Sequence, residues 1–271
     1  MTPLVCPSGH AHHETIRVDL DLSKHRNTDY PAFLGAFGRT MSMNVYRSEL
    51  YDGAIRYCPG TDEVSRSLVK HGVWEGFETL VALDILTRAG GRGGVLDFGA
   101  HIGWYTVQAA LMGYKVTSFE AQPETARVLR MNLDMNGVSD KVKVEEGYAG
   151  PDGGILKPRA VALLKCDVEG QEDRIIAKCR RLFESRSVGA AILEVSPCFY
   201  PHYPSTCGFI ADCGYDVFDI PDKCEVDLYS FASDPLGVTM TRRIPRDEIE
   251  ARIKPMHQRN WLFMRRPEPT A

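Results

Sequence analysis

No apolar run in this chain approaches the roughly 18 residues that a membrane-spanning helix requires, and the opening MTPLVCPSGHAHHE lacks the basic flank and apolar core of a secretion signal. A cytoplasmic protein without a membrane partner is the expectation. Basic charge is not in surplus: 32 Lys and Arg stand against 36 Asp and Glu, a formal net charge of -4, so no nucleic-acid partner is expected either. The eight cysteines include no CxxC pair, which leaves reduced thiols as the expected state. Cys6, His10, His12 and His13 sit close together, but their spacing fits no zinc pattern, and they read as a polar terminal segment. Internal repeats and low-complexity tracts are absent. What is there is an ordinary globular composition, 44% hydrophobic and 25% charged over 271 residues, enough for one large α/β domain or one with an added arm.

Strand and helix signals alternate from Gly93 onward. Val95 and Leu96, then Asp97, Phe98 and Gly99, read as a short buried strand entering a tight turn, with Gly103 to Met112 as the helix that follows. Further strands are expected at Lys115 to Glu120, Lys141 to Glu146, Ala160 to Asp167, Gly189 to Ser196, Tyr215 to Ile220 and Asn260 to Arg266. Helices are expected from Pro123 to about Asn136 and from Gln171 to Ser185. Repeated βα units of this length predict a doubly wound, Rossmann-like sheet of seven strands, which binds ligands at the carboxyl ends of its strands. The preceding segment differs: Met43 to Gly60 contains the hairpin signal Asp52-Gly53, and Thr61 to His71 and Glu75 to Arg88 read as helices. A hairpin and helical cap over the mouth of the sheet is expected, with residues 1–70 as arm and cap and 71–271 as the ligand-binding domain.

The glycine turn restricts the ligand. A dinucleotide site places glycine at three positions so that backbone can approach a pyrophosphate, but here His101 and Trp104 stand where the second and third would fall. A phosphate-binding P-loop fails too, because no Gly-Lys-Ser/Thr follows. The remaining pattern, D-x-G-x-x-x-G from Asp97 through Gly99 to Gly103, suits a ligand with an amino-acid end. S-adenosylmethionine is such a ligand: backbone N–H groups at the turn accept its carboxylate, and Asp97 offsets its ammonium. Glu120 ends the second strand about 20 positions beyond Gly99, where a carboxylate accepts ribose hydroxyls. Tyr148, just past the third strand, would border the adenine.

VLDFGAHIGWYT resembles the first cofactor motif of FkbM-type methyltransferases, and LLKCDVEGQE (Leu163 to Glu172) is similar to that family's fourth-strand run, Leu-Lys-x-Asp-Val-Glu-Gly-x-Glu. Upstream, TDEVSRSLVKHGVWEGFETL resembles the family segment in which a Glu, here Glu75, follows an aromatic ahead of the first strand. The likeness runs from about Tyr46 to Arg266, and His101 stands where the family usually has Asn. It implies a class I methyltransferase fold, S-adenosylmethionine as donor held by Glu75, Asp97, Gly99, His101, Gly103, Glu120, Tyr148 and Asp167, and most often O-methylation of a hydroxyl on a sugar or secondary metabolite.

Read without the family, Asp167 and Glu169 lie at the carboxyl end of the central fourth strand, facing the ligand crevice. Glu172 falls in the first turn of the next helix, where an acid complements the helix dipole. A neutral hydroxyl must lose a proton during methyl transfer, to a general base or through a cation such as Mg²⁺. Asp167, Glu169 and His202, with Glu194 at the end of the fifth strand, are the candidate groups. A small-molecule acceptor is the expected partner, and homodimerisation is left open. Three other readings stay open: N-methylation of a small-molecule amine, a nicotinamide-dependent oxidoreductase, and a non-catalytic scaffold.

Overall fold

The structure is a computed structural model that describes residues 16–18, 41–48, 53–57, 62–71, 74–147, 160–197, 203–222, 225–226, 231, 234–254 and 258–267. Tyr148, His202 and the Cys6, His10, His12 and His13 group lie outside the described residues. The described chain falls into two compact units that divide between Trp74 and Glu75.

The smaller unit holds a three-stranded antiparallel sheet in the order β1 (Ile16–Val18), β2 (Met41–Ser48), β3 (Gly53–Tyr57). The expected hairpin is formed, with Ser48 opposite Gly53, so Gly53 is the first residue of a strand and not part of the connection. Strand β1, in a segment without periodicity, was not anticipated. Helix α1 (Glu63–His71) is capped by Asp62, whose carboxylate accepts from the Ser65 N–H at 2.8 Å and from the Ser65 hydroxyl at 2.7 Å.

The larger unit is built on eight strands: β4 (Gly94–Phe98), β5 (Val116–Glu120), β6 (Val142–Glu146), β7 (Val161–Cys166), β8 (Val188–Val195), β9 (Tyr215–Asp219), β10 (Arg243–Ile244) and β11 (Arg259–Arg265). Their order across the sheet is β10-β9-β11-β8-β7-β4-β5-β6. The β4 to β8 ladders are parallel, and β11 enters antiparallel between β8 and β9. This is the strand order of the class I methyltransferase fold. The eighth strand, beyond the seven expected, is β10, a two-residue ladder on Val217 and Phe218 that is too short for any sequence pattern.

Composition explains the layers. All six residues of β7 are buried, as a central parallel strand covered on both faces requires. Phe98 on β4 and Phe119 on β5 stack with centroids 4.5 Å apart. The covering helices include α2 (Gly76–Ala89), closed by Gly90 in the left-handed conformation, α3 (Trp104–Leu111), and α4 (Pro123–Met135), which opens on proline. The single helix expected over 171–185 is instead two, α5 (Glu172–Lys178) and α6 (Arg180–Glu184), broken at Cys179, whose side chain is buried in the core. After β8 come α7 (Tyr203–Asp212), α8 (Pro235–Met240) and α9 (Ile249–Arg252). Among the described residues no helix is long and apolar enough to cross a membrane, and Cys166, Cys179, Cys207 and Cys213 are free thiols.

Strand β4 pairs with β5 on one side and β7 on the other, so chain direction across the sheet reverses there. Such a switch point opens a crevice at the carboxyl ends of the strands. Because β11 runs the other way, it brings its amino end, Arg259 and Asn260, to the same edge.

Candidate active site

The turn after β4 is held open by its two glycines. Gly99 has φ 78, and a Cβ on it would lie 1.8 Å from the Asp167 carbonyl oxygen. Only glycine lets the first loop approach the end of β7 this closely. The Asp167 N–H donates to the Phe98 carbonyl at 3.0 Å across the same gap. Gly103, at φ 94, would place a Cβ 2.4 Å from Leu129 Cδ1, so it seats α3 against α4. Between them His101 takes φ 51, and its N–H donates to Glu120 Oε2 at 2.8 Å. Glu120 Oε1 accepts from the Gln122 N–H at 2.9 Å. Glu120 therefore ties the glycine loop to the loop after β5 and still has lone pairs for a ligand. No side chain caps α3, whose amino end faces this turn.

Asp97 is engaged inside the protein. It is buried, and its Oδ2 accepts from Thr106 Oγ1 on α3 at 2.6 Å, while Thr106 also bonds Ser118 Oγ at 2.7 Å. Burial pushes its carboxyl up to about 6, with the Thr106 hydrogen bond pulling the other way. Its first task is to fasten the helix to β4 and β5.

Strand register explains which groups meet. Ser118 lies opposite Asp97, Asp97 opposite Lys165, and Lys165 opposite Ile192. Two residues beyond Ile192, Glu194 lies opposite Asn260. Paired residues share a face, as do residues two apart on one strand, so Ser118, Asp97, Lys165, Glu194 and Asn260 form a polar row across one face of the sheet. Helices α2 and α3 cover that face with Glu78 and Tyr105, and Glu75 precedes α2 at φ 43.

Lys165 is the centre of the row. It is 2% exposed and lies 3.0 Å from Asp167 Oδ2, 3.6 Å from Glu75 Oε2 and 5.0 Å from the centroid of the Tyr105 ring. Tyr105 donates to Glu75 Oε2 at 2.8 Å, and Asn260 Nδ2 donates to Glu78 Oε1 at 3.2 Å. Burial works against the Lys165 ammonium, but the charges of Asp167 and Glu75 outweigh it and hold its pKa above the ordinary value. Burial likewise works against ionised Asp167, yet the neighbouring ammonium wins and keeps that carboxyl below the usual range. Glu78 is pushed up to about 7 by burial, reinforced by Glu75. Glu194 is pushed up to about 8 by burial and by the charge on Asp167.

The turn after β7 separates the other candidates. Glu169 takes φ 48 and is exposed. Glu172 is buried; its Oε1 accepts from the Val168 N–H at 2.9 Å and the Gly170 N–H at 3.3 Å, and its Oε2 accepts from the Tyr203 hydroxyl. It is the anchor of the loop, a larger role than complementing a helix dipole. Asp167, Glu172 and Glu194 each place an oxygen within 4.8 Å of the others, a spacing a cation could span. The surrounding donors argue otherwise: Glu172 is taken by two N–H groups and a hydroxyl, Asp167 by the Lys165 ammonium, and Glu194 Oε1 by the Gln258 amide. These residues do not fit Mg²⁺, because a divalent ion would have to displace hydrogen-bond donors already aimed at the carboxylates.

Of the residues named from sequence, Glu75, Asp97, Gly99, His101, Gly103, Glu120 and Asp167 converge on this edge, while Glu169 stays exposed outside the carboxylate cluster. Lys165, Glu78 and Asn260 carried no assignment. A lysine inside the apolar run VALLKC is the one signal that pointed to the first of them.

Neither a protein-family model nor a curated protein matches the chain. Among solved structures it is similar to M. jannaschii TYW2 in complex with AdoMet, at 13% identity over 83% of this chain and 87% of that one, TM-score 0.45. It is also similar to a precorrin-6y C5,15-methyltransferase from Geobacter metallireducens, at 20% identity over 59% and 79%, TM-score 0.42. A third is an RNA methyltransferase from Salinibacter ruber in complex with S-adenosyl-L-homocysteine, at 20% identity over 42% and 73%, TM-score 0.31. These are likenesses of fold.

Proposed function

We propose that the chain is an S-adenosylmethionine-dependent methyltransferase of the FkbM type that methylates a hydroxyl on a small molecule, a sugar or secondary metabolite, in the cytoplasm. One observation carries the reading: the glycine turn, Glu120 and an ionised Asp167 meet at the switch point of the sheet, with Asp167 a quarter exposed there. The residues present suit the donor. Glu75, Glu78, Asp97, Glu120 and Asp167 gather at this edge around the single cation Lys165 among the described residues there, an acid excess that favours a ligand bearing positive charge. Glu120 takes the ribose hydroxyls, the uncapped amino end of α3 takes the carboxylate, and Tyr148 borders the adenine. The domain boundary in this reading falls between residues 70 and 71.

The donor, when bound, supplies an electrophilic methyl on a sulfonium. With the donor bound, Asp167 would take the proton that the acceptor hydroxyl gives up as it receives the methyl. Lys165 keeps Asp167 ionised and fixes its direction, so much of the rate comes from positioning. His202 is the further group expected to line the acceptor side. Incubation with labelled methyl donor and a panel of hydroxyl- and amine-bearing acceptors tests the proposal, with product analysis separating methyl ethers from methylamines. Asp167→Asn should lower turnover by about 10² or more and change donor affinity little; full turnover in that variant overturns the assignment.

A further inference from the structure

We propose that Asp167 and Glu194 form a carboxylate pair that holds one proton between them, and that Glu194 is a positioning residue that sets the basicity of Asp167 without touching the acceptor. The role in turnover rests on the methyltransferase reading; the pair itself does not.

The two acids leave neighbouring strand ends, since Cys166, just before Asp167, lies opposite Leu193, just before Glu194. Their carboxylate oxygens come within 4.8 Å of one another. A hydrogen bond between two carboxyl groups needs a proton on one of them, because ionised carboxylates are acceptors only. The partners decide which. Asp167 Oδ2 accepts from the Lys165 ammonium at 3.0 Å, a charge-assisted bond that requires an anion. Glu194 makes no ion pair among the described residues: Oε1 accepts from the Gln258 amide, and Oε2 is buried with no donor aimed at it. A buried acceptor left without a donor is costly, and a proton on that oxygen, shared with Asp167, removes the cost.

The surrounding charges support this division. From β7, Lys165 lies 3.0 Å from Asp167; the glycine loop places the charge of His101 near Asp167; ahead of α2, Glu75 lies 3.6 Å from Lys165, and Glu78 on α2 adds negative charge nearby. Glu172 on α5 and Tyr203 on α7 are bonded to each other. Like charges at this separation force one member to stay protonated, which agrees with Glu194 being pushed up to about 8. Below that pH the hydrogen bond from Glu194 stabilises ionised Asp167 and weakens it as a base. Above it, both are ionised and Asp167 accepts the acceptor proton more readily. Glu194 is buried, with only Asp167 reaching the crevice, so its influence passes through Asp167.

The test begins with infrared difference spectra of the full chain across pH. A carboxylic-acid band should disappear with a midpoint near 8, be missing in Glu194→Gln, and move down by about one pH unit or more in Asp167→Asn, where the like charge is gone. In the methyl-transfer assay, wild-type turnover should climb as pH passes that midpoint. Glu194→Gln, which keeps the hydrogen bond of the protonated form, should match wild type on the acid side and lose the alkaline rise, with the donor KM unchanged. Absence of the band, its persistence in Glu194→Gln, or a wild-type pH profile in that variant overturns the proposal. The spectra are read without turnover, so a failed pair and a failed methyltransferase reading give different results.

Discussion

Replacing Lys165 by Met keeps most of the stem and removes the charge at the centre of the polar row. Two carboxylates then lose their ammonium, Asp167 at 3.0 Å and Glu75 at 3.6 Å, at a site where the lysine side chain is only 3% exposed. Breaking a buried pair by deleting one partner costs about 3–5 kcal/mol, because the remaining charge is uncompensated. Set against a total stability of about 5–15 kcal/mol, that is a large fraction. For a chain of this size it corresponds to a fall in Tm of roughly 6–20 °C. The loss should depend on pH in a definite direction. Asp167 has a depressed folded pKa, so its stabilising contribution is present above its ordinary 3.8 and is lost as pH falls through the folded value. Lys165 has a raised folded pKa, so its contribution is present below its ordinary 10.5 and is lost only as pH climbs through the folded value. The gap between wild type and Lys165→Met is therefore widest between these limits and narrows under acid conditions. Urea denaturation at neutral pH and near pH 2, well below the ordinary value of Asp167, measures it. A loss under about 1 kcal/mol, or one of equal size at both pH values, would refute the reasoning.

Gly99→Ala adds a Cβ 1.8 Å from the Asp167 carbonyl at φ 78, whereas Gly113→Ala, at φ 92, meets nothing within 4 Å. Both carry the left-handed penalty of about 1–2 kcal/mol; only the first should also weaken donor binding, and equal effects in calorimetry and denaturation would contradict the close approach. Glu172→Gln should retain turnover and lose about 1–3 kcal/mol of stability, because an amide would meet the Tyr203 hydroxyl where a carboxylate accepted it; unchanged thermal unfolding would show that the anchor does not matter.

The sheet was readable because central parallel strands are buried on both faces and so appear as continuous apolar runs such as VALLKC, with Pro123 and the glycines marking helix ends. The break at Cys179 was not, since nothing in its sequence neighbourhood interrupts helical spacing. Strands β1 and β10, of three and two residues, are too short to show a period. The glycine turn and Glu120 could be located along the chain, yet the reason for Gly99 lies in the approach of Asp167, a contact between distant segments. The polar row is a property of register. Glu75, Glu78, Lys165, Glu194 and Asn260 come together only once β4, β7, β8 and β11 are aligned, so their partnership was not visible in sequence.

Calorimetric titration with S-adenosylmethionine and with its demethylated product tests the central claim most directly, using NAD as the competitor and Glu120→Ala as the control. Binding of micromolar order, about 8 kcal/mol, with no competition from NAD is the predicted result. Glu120→Ala should weaken it at least tenfold, because charge-assisted bonds from ribose hydroxyls to this carboxylate would be worth about 1.5–3 kcal/mol each. It should also cost some stability, since the His101 and Gln122 N–H groups lose their acceptor. Saturable binding of NAD with no response to the methyl donor would contradict the account.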